Sequence, residues 1–382
     1  MATTSQVVDL RSDTVTKPTE SMKKAMITAA IGDDVYGEDP TTNVLQQKIA
    51  ELLGKEAALF VPSGTMANLI AIMVHCNKRG AEMLCGDKSH IFKRESGGGS
   101  HLAGTLTTAL KNLPDGTFDI KELENHVRGT DIHEPITMML AVENTHNACG
   151  GRVIPLDWLD KVATICKKHG LLLHMDGSRL FNASEYLREE PARLVRDCDS
   201  VSVCFSKSLG APVGSALAGT RRFIEQARRM RKMLGGGMRQ SGVLAAAALV
   251  ALEETVPSLY ADHKRALYLA KAINDLKLST FTINMESQQT NIVNVHIDPK
   301  CTVTSSKVVE RLAVVTSLEI TSGCKTDNNE DILSLLKASN AHSIQGWRWL
   351  SDGCLVAVWW LSGSSQAYMP LKNAINENVE LT

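Results

Sequence analysis

Short apolar runs alternate with helical periods between about residue 40 and residue 255. The runs cover residues 57–61, 138–142, 171–175 and 201–205, and a helical pattern begins at Thr65, directly after the first run. Runs of this kind are typical of strands that are buried on both faces of a parallel sheet. The alternation predicts an α/β fold with a mostly parallel sheet covered by helices on both faces.

The pattern changes after Pro257. Before it, residues 241–254 are rich in Ala and Leu and indicate a helix that closes the first region. Beyond it, the patterns indicate a charged helix over 260–276, strands over 291–297 and 355–361, and polar turns such as 325–330.

A chain of 382 residues with 43% hydrophobic content can bury a large core and is long enough for two domains. We predict a large domain over residues 1–255 and a smaller α+β domain over residues 256–382. The first ~30 residues could pack with the small domain instead.

Charge and cysteine content narrow the function classes. The 41 basic and 42 acidic residues leave a net charge of −1, which gives no reason to expect nucleic acid or a membrane surface as partner. The nine cysteines occur singly, in no spacing typical of a metal site, so we predict no metal and a reducing compartment. The first residues carry no targeting pattern, and no apolar run approaches ~18 residues. These observations favour a cytoplasmic protein.

Two polar side chains follow predicted strands at their carboxyl ends. Asp176 closes one apolar run, and Lys207 comes after another. Because ligands of open α/β sheets bind at this edge, the carboxylate and the amine should face one crevice. A lysine that binds the cofactor covalently and an aspartate that keeps its pyridine nitrogen protonated are what pyridoxal phosphate (PLP) requires. Either residue could also be an ordinary turn or surface residue.

A phosphate site is expected at Ser63, Gly64 and Thr65. This turn joins the strand over 57–61 to the following helix, where free N–H groups and the helix dipole attract an anion. The alternative is a simple helix cap. Arg239, in the glycine-rich stretch 235–240, could reach a phosphate or lie in a flexible turn.

Further candidates surround these positions. Arg179 offers a planar, bidentate donor for a carboxylate. His90 could stack on a planar ring or act as a base, while His133 and His146 could be catalytic or structural.

Several sequence segments resemble those of the low-specificity L-threonine aldolases, which are PLP enzymes of the aspartate-aminotransferase fold type. The resemblance covers roughly residues 8 to 255. The matching strings are residues 9–16, 32–37, 62–65, 143–147, 174–182, 206–215 and 231–242.

The resemblance implies a mostly parallel, seven-stranded sheet and a role for each matching residue. The implied catalytic residues are Lys207, His90, His133 and Asp176. The implied cofactor-binding residues are Ser63, Gly64, Thr65, His90, Asp176, Arg179, Ser206, Lys207 and Arg239. Ser12, Tyr36 and Arg179 are the implied substrate-binding residues. Arg239 and Tyr36 would act across a subunit interface, which implies a homo-oligomer, either a dimer or a tetramer.

The implied reaction is cleavage of L-threonine or L-allo-threonine to glycine and an aldehyde. One departure keeps alternatives open: family members carry a carboxylate-binding arginine on a late strand, whereas residues 355–361 contain none and the nearest is Arg348. The alternatives are a PLP enzyme that eliminates from or racemises another β-substituted amino acid, an aldolase for another β-hydroxy amino acid, and a catalytically silent PLP-binding protein.

Overall fold

The computed structural model describes residues 8–300 and the backbone of residues 344–345, 348–350 and 354–358. Contacts divide the chain into one unit formed by Thr16–Tyr260 and a second unit formed by the described residues on either side of it. The predicted turn at 325–330 and residues 359–361 lie outside the described residues. The domain limits drawn from the sequence, 1–255 and 256–382, stay a prediction.

The described strands are short and spread along the whole chain. They are β1 (Val8–Asp9), β2 (Ala57–Val61), β3 (Ala81–Gly86), β4 (Leu106–Leu110), β5 (Ile136–Glu143), β6 (Leu172–Gly177), β7 (Ser200–Cys204), β8 (Ser215–Gly219), β9 (Phe281–Thr282), β10 (Ile292–Ile297), β11 (Ile344–Gln345), β12 (Arg348–Leu350) and β13 (Cys354–Val358).

The described α-helices separate most of these strands. They are α1 (Glu20–Thr28), α2 (Pro40–Leu52), α3 (Gly64–His75), α4 (His90–Lys93), α5 (Gly98–His101), α6 (Ile120–His126), α7 (Leu156–His169), α8 (Leu180–Leu187), α9 (Pro191–Leu194), α10 (Arg221–Met233), α11 (Gly242–Val250) and α12 (Leu259–Asp275).

A seven-stranded sheet forms the centre of the larger unit, in the order β2-β8-β7-β6-β5-β3-β4. Its pairs are parallel except those of β8, which runs antiparallel to both β2 and β7. The predicted α/β class and the mostly parallel sheet are therefore confirmed.

Both faces of this sheet are buried, because alternate side chains of a strand point to opposite faces. On β2, Phe60 packs into the main core, which also contains Leu45 and Ile49 of α2. Its neighbour Leu59 packs with Ile70 of α3 and with residues of α10 in a separate core. Helices thus cover both sides of the sheet, which explains why its strands appear in the sequence as continuous apolar runs.

The predicted strands and helices differ from the observed ones mainly at their ends. The helix predicted over 241–254 is α11 followed by a π-helical turn, Ala251–Thr255. By length and composition, the helical stretch Gly242–Asp275 could cross a membrane, but half of its most apolar part is buried inside the protein. Helices of soluble cores pass the same test, so this stretch is weak support for a membrane span.

The second unit has a core of its own. Ala266 and Ala270 of α12 pack with Phe281, Val293 and Val295 of β9 and β10. The sheet order is β12-β13-β10-β9, and β1 pairs separately with β11 in parallel. The strands predicted over 291–297 and 355–361 are present over 292–297 and 354–358. The register sets Arg348 of β12 opposite Val356 of β13.

A buried ion pair ties the turn Asp34–Tyr36 to α10. Nη2 of Arg231 lies 2.6 Å from Oδ2 of Asp34, and its Nη1 donates to the carbonyl oxygen of Phe60 at 2.7 Å. Arg231 is 1% exposed and Asp34 is fully buried. Either charge without its partner would be strongly unfavourable in this position.

We expect Arg231→Met to lower the free energy of unfolding by about 3–5 kcal/mol, because it leaves the Asp34 carboxylate buried without its counter-ion. Urea unfolding followed by circular dichroism measures the change. The matched control is Arg222→Met on the exposed face of the same helix, for which we expect a change within about 0.5 kcal/mol. Equal effects of the two substitutions would contradict this account.

Candidate active site

Adjacent parallel strands bring Asp176 and Lys207 to the same edge of the sheet. Asp176 of β6 lies opposite Glu143 of β5 and Ser202 of β7. Lys207 follows the end of β7 in a turn that is held by two hydrogen bonds to the carbonyl oxygen of Lys207. That oxygen accepts from the Thr16 hydroxyl and from the N–H of Gly210, each at 2.9 Å. The predicted arrangement of a carboxylate and an amine at neighbouring strand ends is thus present.

The Asp176 carboxylate accepts three hydrogen bonds although it is only 3% exposed. Its Oδ1 accepts from the N–H of Ser178 at 3.1 Å and from the Ser178 hydroxyl at 2.7 Å. Its Oδ2 accepts from Nδ2 of Asn68 at 2.9 Å. An ionised carboxylate only accepts, so this set of donors favours the charged form.

Charge around Asp176 acts in the same direction. Burial alone would raise the pKa of the Asp176 carboxyl, but the positive charges of Lys207 and His90, with the hydrogen bonds from Ser178 and Asn68, bring this pKa below its usual value. The group is therefore a buried anion at neutral pH, as required opposite a protonated ring nitrogen.

His90 is paired with a second carboxylate, Glu95. Nδ1 of His90 lies 2.9 Å from Oε1 of Glu95, and the backbone N–H of His90 donates to Oε2 of Glu143 at 2.7 Å. Burial lowers the pKa of His90, but the Glu95 hydrogen bond and the charges of Asp176, Glu95 and Glu143 raise it above the usual value overall. Glu95 is itself buried, and burial raises the pKa of its carboxyl. The pair can hold and exchange a proton.

Behind this cluster lies a chain of buried polar groups. Nε2 of His174 lies 3.1 Å from Oδ1 of Asn68, and its Nδ1 lies 2.8 Å from the Ser200 hydroxyl. The same hydroxyl lies 2.7 Å from Nε2 of His75. Burial lowers the pKa of His75 to about 3 and that of His174 to about 4. Both rings are neutral at neutral pH.

The phosphate turn has the predicted form. Ser63 precedes α3 and accepts from the N–H of Met66 at 3.2 Å, while Gly64 and Thr65 are the first residues of the helix. Their N–H groups have no partner within the helix. A Cβ atom on Gly64 would lie 2.7 Å from Sγ of Cys204, so a larger residue would displace the turn from the end of β7.

Other predicted residues lie apart from this cluster or are tied elsewhere. The side chain of His133 is 84% exposed and bonds Asp131, so the structure does not bring it to Asp176 within this chain. Tyr36 is 75% exposed, and Arg239 is half exposed with its Nη1 on Oδ2 of Asp33 at 2.8 Å. Both side chains are exposed in the single chain.

The remaining candidates are Arg179, Ser206, His146 and Ser12. Arg179 is 7% exposed and immediately precedes α8. Ser206 directly precedes Lys207 and is half-buried, and His146 is 2% exposed. Ser12 belongs to the second unit, where its hydroxyl accepts from the Thr14 hydroxyl at 2.9 Å.

Comparison with known proteins identifies the family. A sequence model of the family described as beta-eliminating lyase matches residues 9–298. A protein of Arabidopsis thaliana named probable low-specificity L-threonine aldolase 2 is 53% identical over 302 residues, 78% of this chain and 84% of the relative. The low specificity L-threonine aldolase of Escherichia coli K12 is 45% identical over 269 residues, 70% of this chain and 80% of the relative. The chain belongs to the low-specificity L-threonine aldolase family.

Solved structures agree on the fold of this aldolase-family chain. A putative L-allo-threonine aldolase of Listeria monocytogenes matches with a TM-score of 0.73 at 19% identity, covering 97% of this chain and 96% of the other. The threonine aldolase of Leishmania major matches with a TM-score of 0.71 at 19% identity, covering 97% and 99%. The expected fold type is confirmed, and family membership makes the chain a PLP-dependent lyase.

The donor set of this family member fits PLP. A lysine follows β7, a buried carboxylate ends β6, and the helix N-terminus at Gly64 offers free N–H groups to a phosphate. Ligand atoms of His90, Glu95 and Asp176 lie within 4.8 Å of one another, close enough to share a metal ion. Within this group His90 pairs with Glu95, and both carboxylates accept a hydrogen bond from Asn68.

Sequence reasoning missed Asn68, Glu95 and His174 as members of the site. Asn68 carried a signal, since it is a polar residue in the otherwise apolar stretch of α3. His174 carried a weaker one, as a polar residue within a buried strand. No signal in the sequence pointed to Glu95, because this residue lies in the loop after α4 and only the course of that loop brings it to His90.

The neutral histidines of this chain should make its stability depend on acid. Histidine in an unfolded chain has a pKa of ~6.5. Between that pH and about 4, these histidines therefore bind protons in the unfolded chain and stay neutral in the folded chain. Stability is then full above pH ~6.5 and falls with decreasing pH, by about 1.4 kcal/mol per pH unit for each histidine. His75→Phe preserves the ring stacking on Phe223 but removes one titrating group. When the pH falls from ~6.5 to 5, we expect the free energy of unfolding of this variant to decrease by about 1–2 kcal/mol less than that of the unmodified protein.

Urea unfolding at a series of pH values measures these slopes. His101→Phe, a change of an exposed histidine, serves as the control and should keep the slope of the unmodified protein. Equal slopes for His75→Phe and the control would show that His75 is not held neutral by burial.

Proposed function

We propose that the chain is a PLP-dependent aldolase that cleaves L-threonine and L-allo-threonine to glycine and acetaldehyde. The observation that carries this proposal is the buried, three-fold hydrogen-bonded Asp176 next to Lys207. The names of the relatives, which are 45–53% identical low-specificity L-threonine aldolases, support the substrate class. Production of glycine from threonine would follow from this activity.

Each part of the cluster has one task in this proposal. When bound, PLP supplies an electron sink for the pair released as the Cα–Cβ bond breaks. Lys207 would bind the cofactor covalently, and Asp176 would present its negative charge to the ring nitrogen. Ser63, Gly64 and Thr65 hold the phosphate through the N-terminus of α3, where backbone N–H groups and the dipole favour an anion.

His90 is the proposed base and would also contact the cofactor ring. Its partner Glu95 orients the imidazole through Nδ1, which leaves Nε2 to accept the proton of the substrate hydroxyl. Ser12 and Arg179 are the proposed ligands of the substrate carboxylate, and His133 and Ser206 are proposed to assist proton transfer and cofactor binding. Binding a carboxylate requires hydrogen-bond donors, which the Arg179 guanidinium and the Ser12 hydroxyl can provide. Proton transfer requires a group that titrates, such as the His133 imidazole.

A homo-oligomer, a dimer or a tetramer, completes the proposal. Tyr36 and Arg239 are exposed in the single chain, as residues of a shared site would be. Arg239 would bind the phosphate of a neighbouring subunit, and Tyr36 would line its substrate pocket. Cytoplasmic location stays a prediction.

We expect Lys207→Ala to lose the visible absorbance of the bound cofactor and to produce no detectable glycine or acetaldehyde from L-threonine, because the covalent attachment is gone. The measurement is a spectrum of the purified protein, before and after borohydride, followed by a product assay with both threonine isomers. Lys232→Ala, an exposed lysine of α10, is the control. A fully active Lys207→Ala protein would refute the assignment.

The same assay separates the alternatives. Elimination or racemisation products without glycine would favour another PLP reaction on a β-substituted amino acid. Glycine with a different aldehyde would favour another β-hydroxy amino acid. A coloured protein without any product would favour the catalytically silent form.

We expect Glu95→Gln to shift the acid limb of the kcat/KM profile to lower pH. Glu95 raises the pKa of His90, and a base loses activity as pH falls through its pKa, so a lower pKa moves the loss to lower pH. Glu254→Gln, a change of an exposed carboxylate, should leave the limb in place. An unmoved limb in Glu95→Gln would rule out His90 as the base whose titration limits the rate.

A further inference from the structure

The Asn68 amide group joins the two carboxylates of the site. Its Nδ2 donates to Oδ2 of Asp176 at 2.9 Å and to Oε1 of Glu95 at 2.8 Å. The two N–H bonds of one amide nitrogen are thus both used on carboxylates. If the amide were turned over, its oxygen would face two negative groups, so this neighbourhood decides its orientation.

The orientation of Asn68 fixes the tautomer of His174. Oδ1 of Asn68 can only accept, and it faces Nε2 of His174 at 3.1 Å and the Ser202 hydroxyl at 2.9 Å. Because the His174 ring is neutral, it carries one N–H, which must be on Nε2. Its Nδ1 is then an acceptor.

The remaining bonds follow from that assignment. Nδ1 of His174 accepts from the Ser200 hydroxyl, and the Ser200 oxygen accepts in turn from Nε2–H of His75. The donors of His75, Ser200, His174 and Asn68 therefore all point in one direction, toward Asp176. Hydrogen bonds aligned in this way polarise one another, and a buried network acts as a unit when every member is satisfied.

We propose that His174 is a positioning residue of this site: through Asn68 it keeps the Asp176 carboxylate ionised and in one orientation opposite the ring nitrogen of the cofactor. The inference rests on the proposed use of PLP, and it extends the site from Asp176 to a side chain that reaches this carboxylate only through Asn68. Without the donor on His174, Oδ1 of Asn68 keeps only the Ser202 hydroxyl, and the less polarised amide binds Oδ2 of Asp176 more weakly.

The test replaces His174 with an apolar and with a donating side chain. His174→Leu removes the donor, whereas His174→Gln retains an amide N–H that can reach Oδ1 of Asn68. Each apoprotein is reconstituted with PLP labelled with nitrogen-15 in the ring. The ring nitrogen chemical shift reports its protonation, and a titration with PLP gives the dissociation constant.

We expect the ring nitrogen to be protonated in the unmodified protein and to lose protonation in His174→Leu at the same pH. The PLP dissociation constant should rise about tenfold, the factor that ~1.4 kcal/mol of lost interaction produces. His174→Gln should recover most of both properties. His101→Leu, an exposed histidine, is the control and should match the unmodified protein.

Two outcomes would overturn the proposal: a ring nitrogen that is as protonated in His174→Leu as in the unmodified protein, or equal losses in the Leu and Gln variants, which would assign the effect to packing. If His174→Leu does not fold, Ser202→Ala removes the other donor to Oδ1 of Asn68 with a minimal change of volume. A ring nitrogen as protonated in this variant as in the unmodified protein would then overturn the role of Asn68, and with it that of His174. Failure of the unmodified protein to bind PLP at all would instead refute the proposed function.

Discussion

A buried negative charge is the constraint on which this site depends. Removing an ionised carboxylate from water costs several kcal/mol unless donors and opposite charge replace the lost hydration. Asp176 receives that replacement from Ser178 after its own strand, from Asn68 of α3, and from the charges of Lys207 and of the protonated form of His90. The positions of β6, β7 and α3 relative to one another are therefore a requirement of the chemistry as well as of packing.

The sheet supplies these relations because its central strands are parallel. Their carboxyl ends meet along one edge, and the strands β5, β6 and β7 set Glu143, Asp176 and Ser202 side by side in register. The opposite side of the site comes from α3, whose N-terminal turn follows β2. One helix thus offers backbone N–H groups at its first turn and the amide of Asn68 one turn later. A phosphate and a carboxylate can be bound by the same rigid element.

Much of this could be predicted from the sequence, and the rest has a physical reason for escaping. The strands before Asp176 and Lys207 are short, mostly apolar runs that end at polar residues, so their burial and their carboxyl ends could be predicted. In contrast, β8 is Ser-Ala-Leu-Ala-Gly, small residues with little strand preference, and its antiparallel direction depends on tertiary context. Glu95 and His174 both hydrogen-bond Asn68, which is distant from them in sequence, and no periodicity encodes such contacts. The exposure of His133 is likewise a result of the loop path around it.

The ion pair between Asp34 and Arg231 has a consequence for association. It anchors the turn that carries the exposed ring of Tyr36, with further support from the backbone N–H of Asp34 on the carbonyl oxygen of Arg239. A molecule that docks against this turn therefore meets a surface that is already ordered. The conformational entropy of the turn is lost during folding, so binding of a partner loses little further entropy from this turn and its affinity is reduced less.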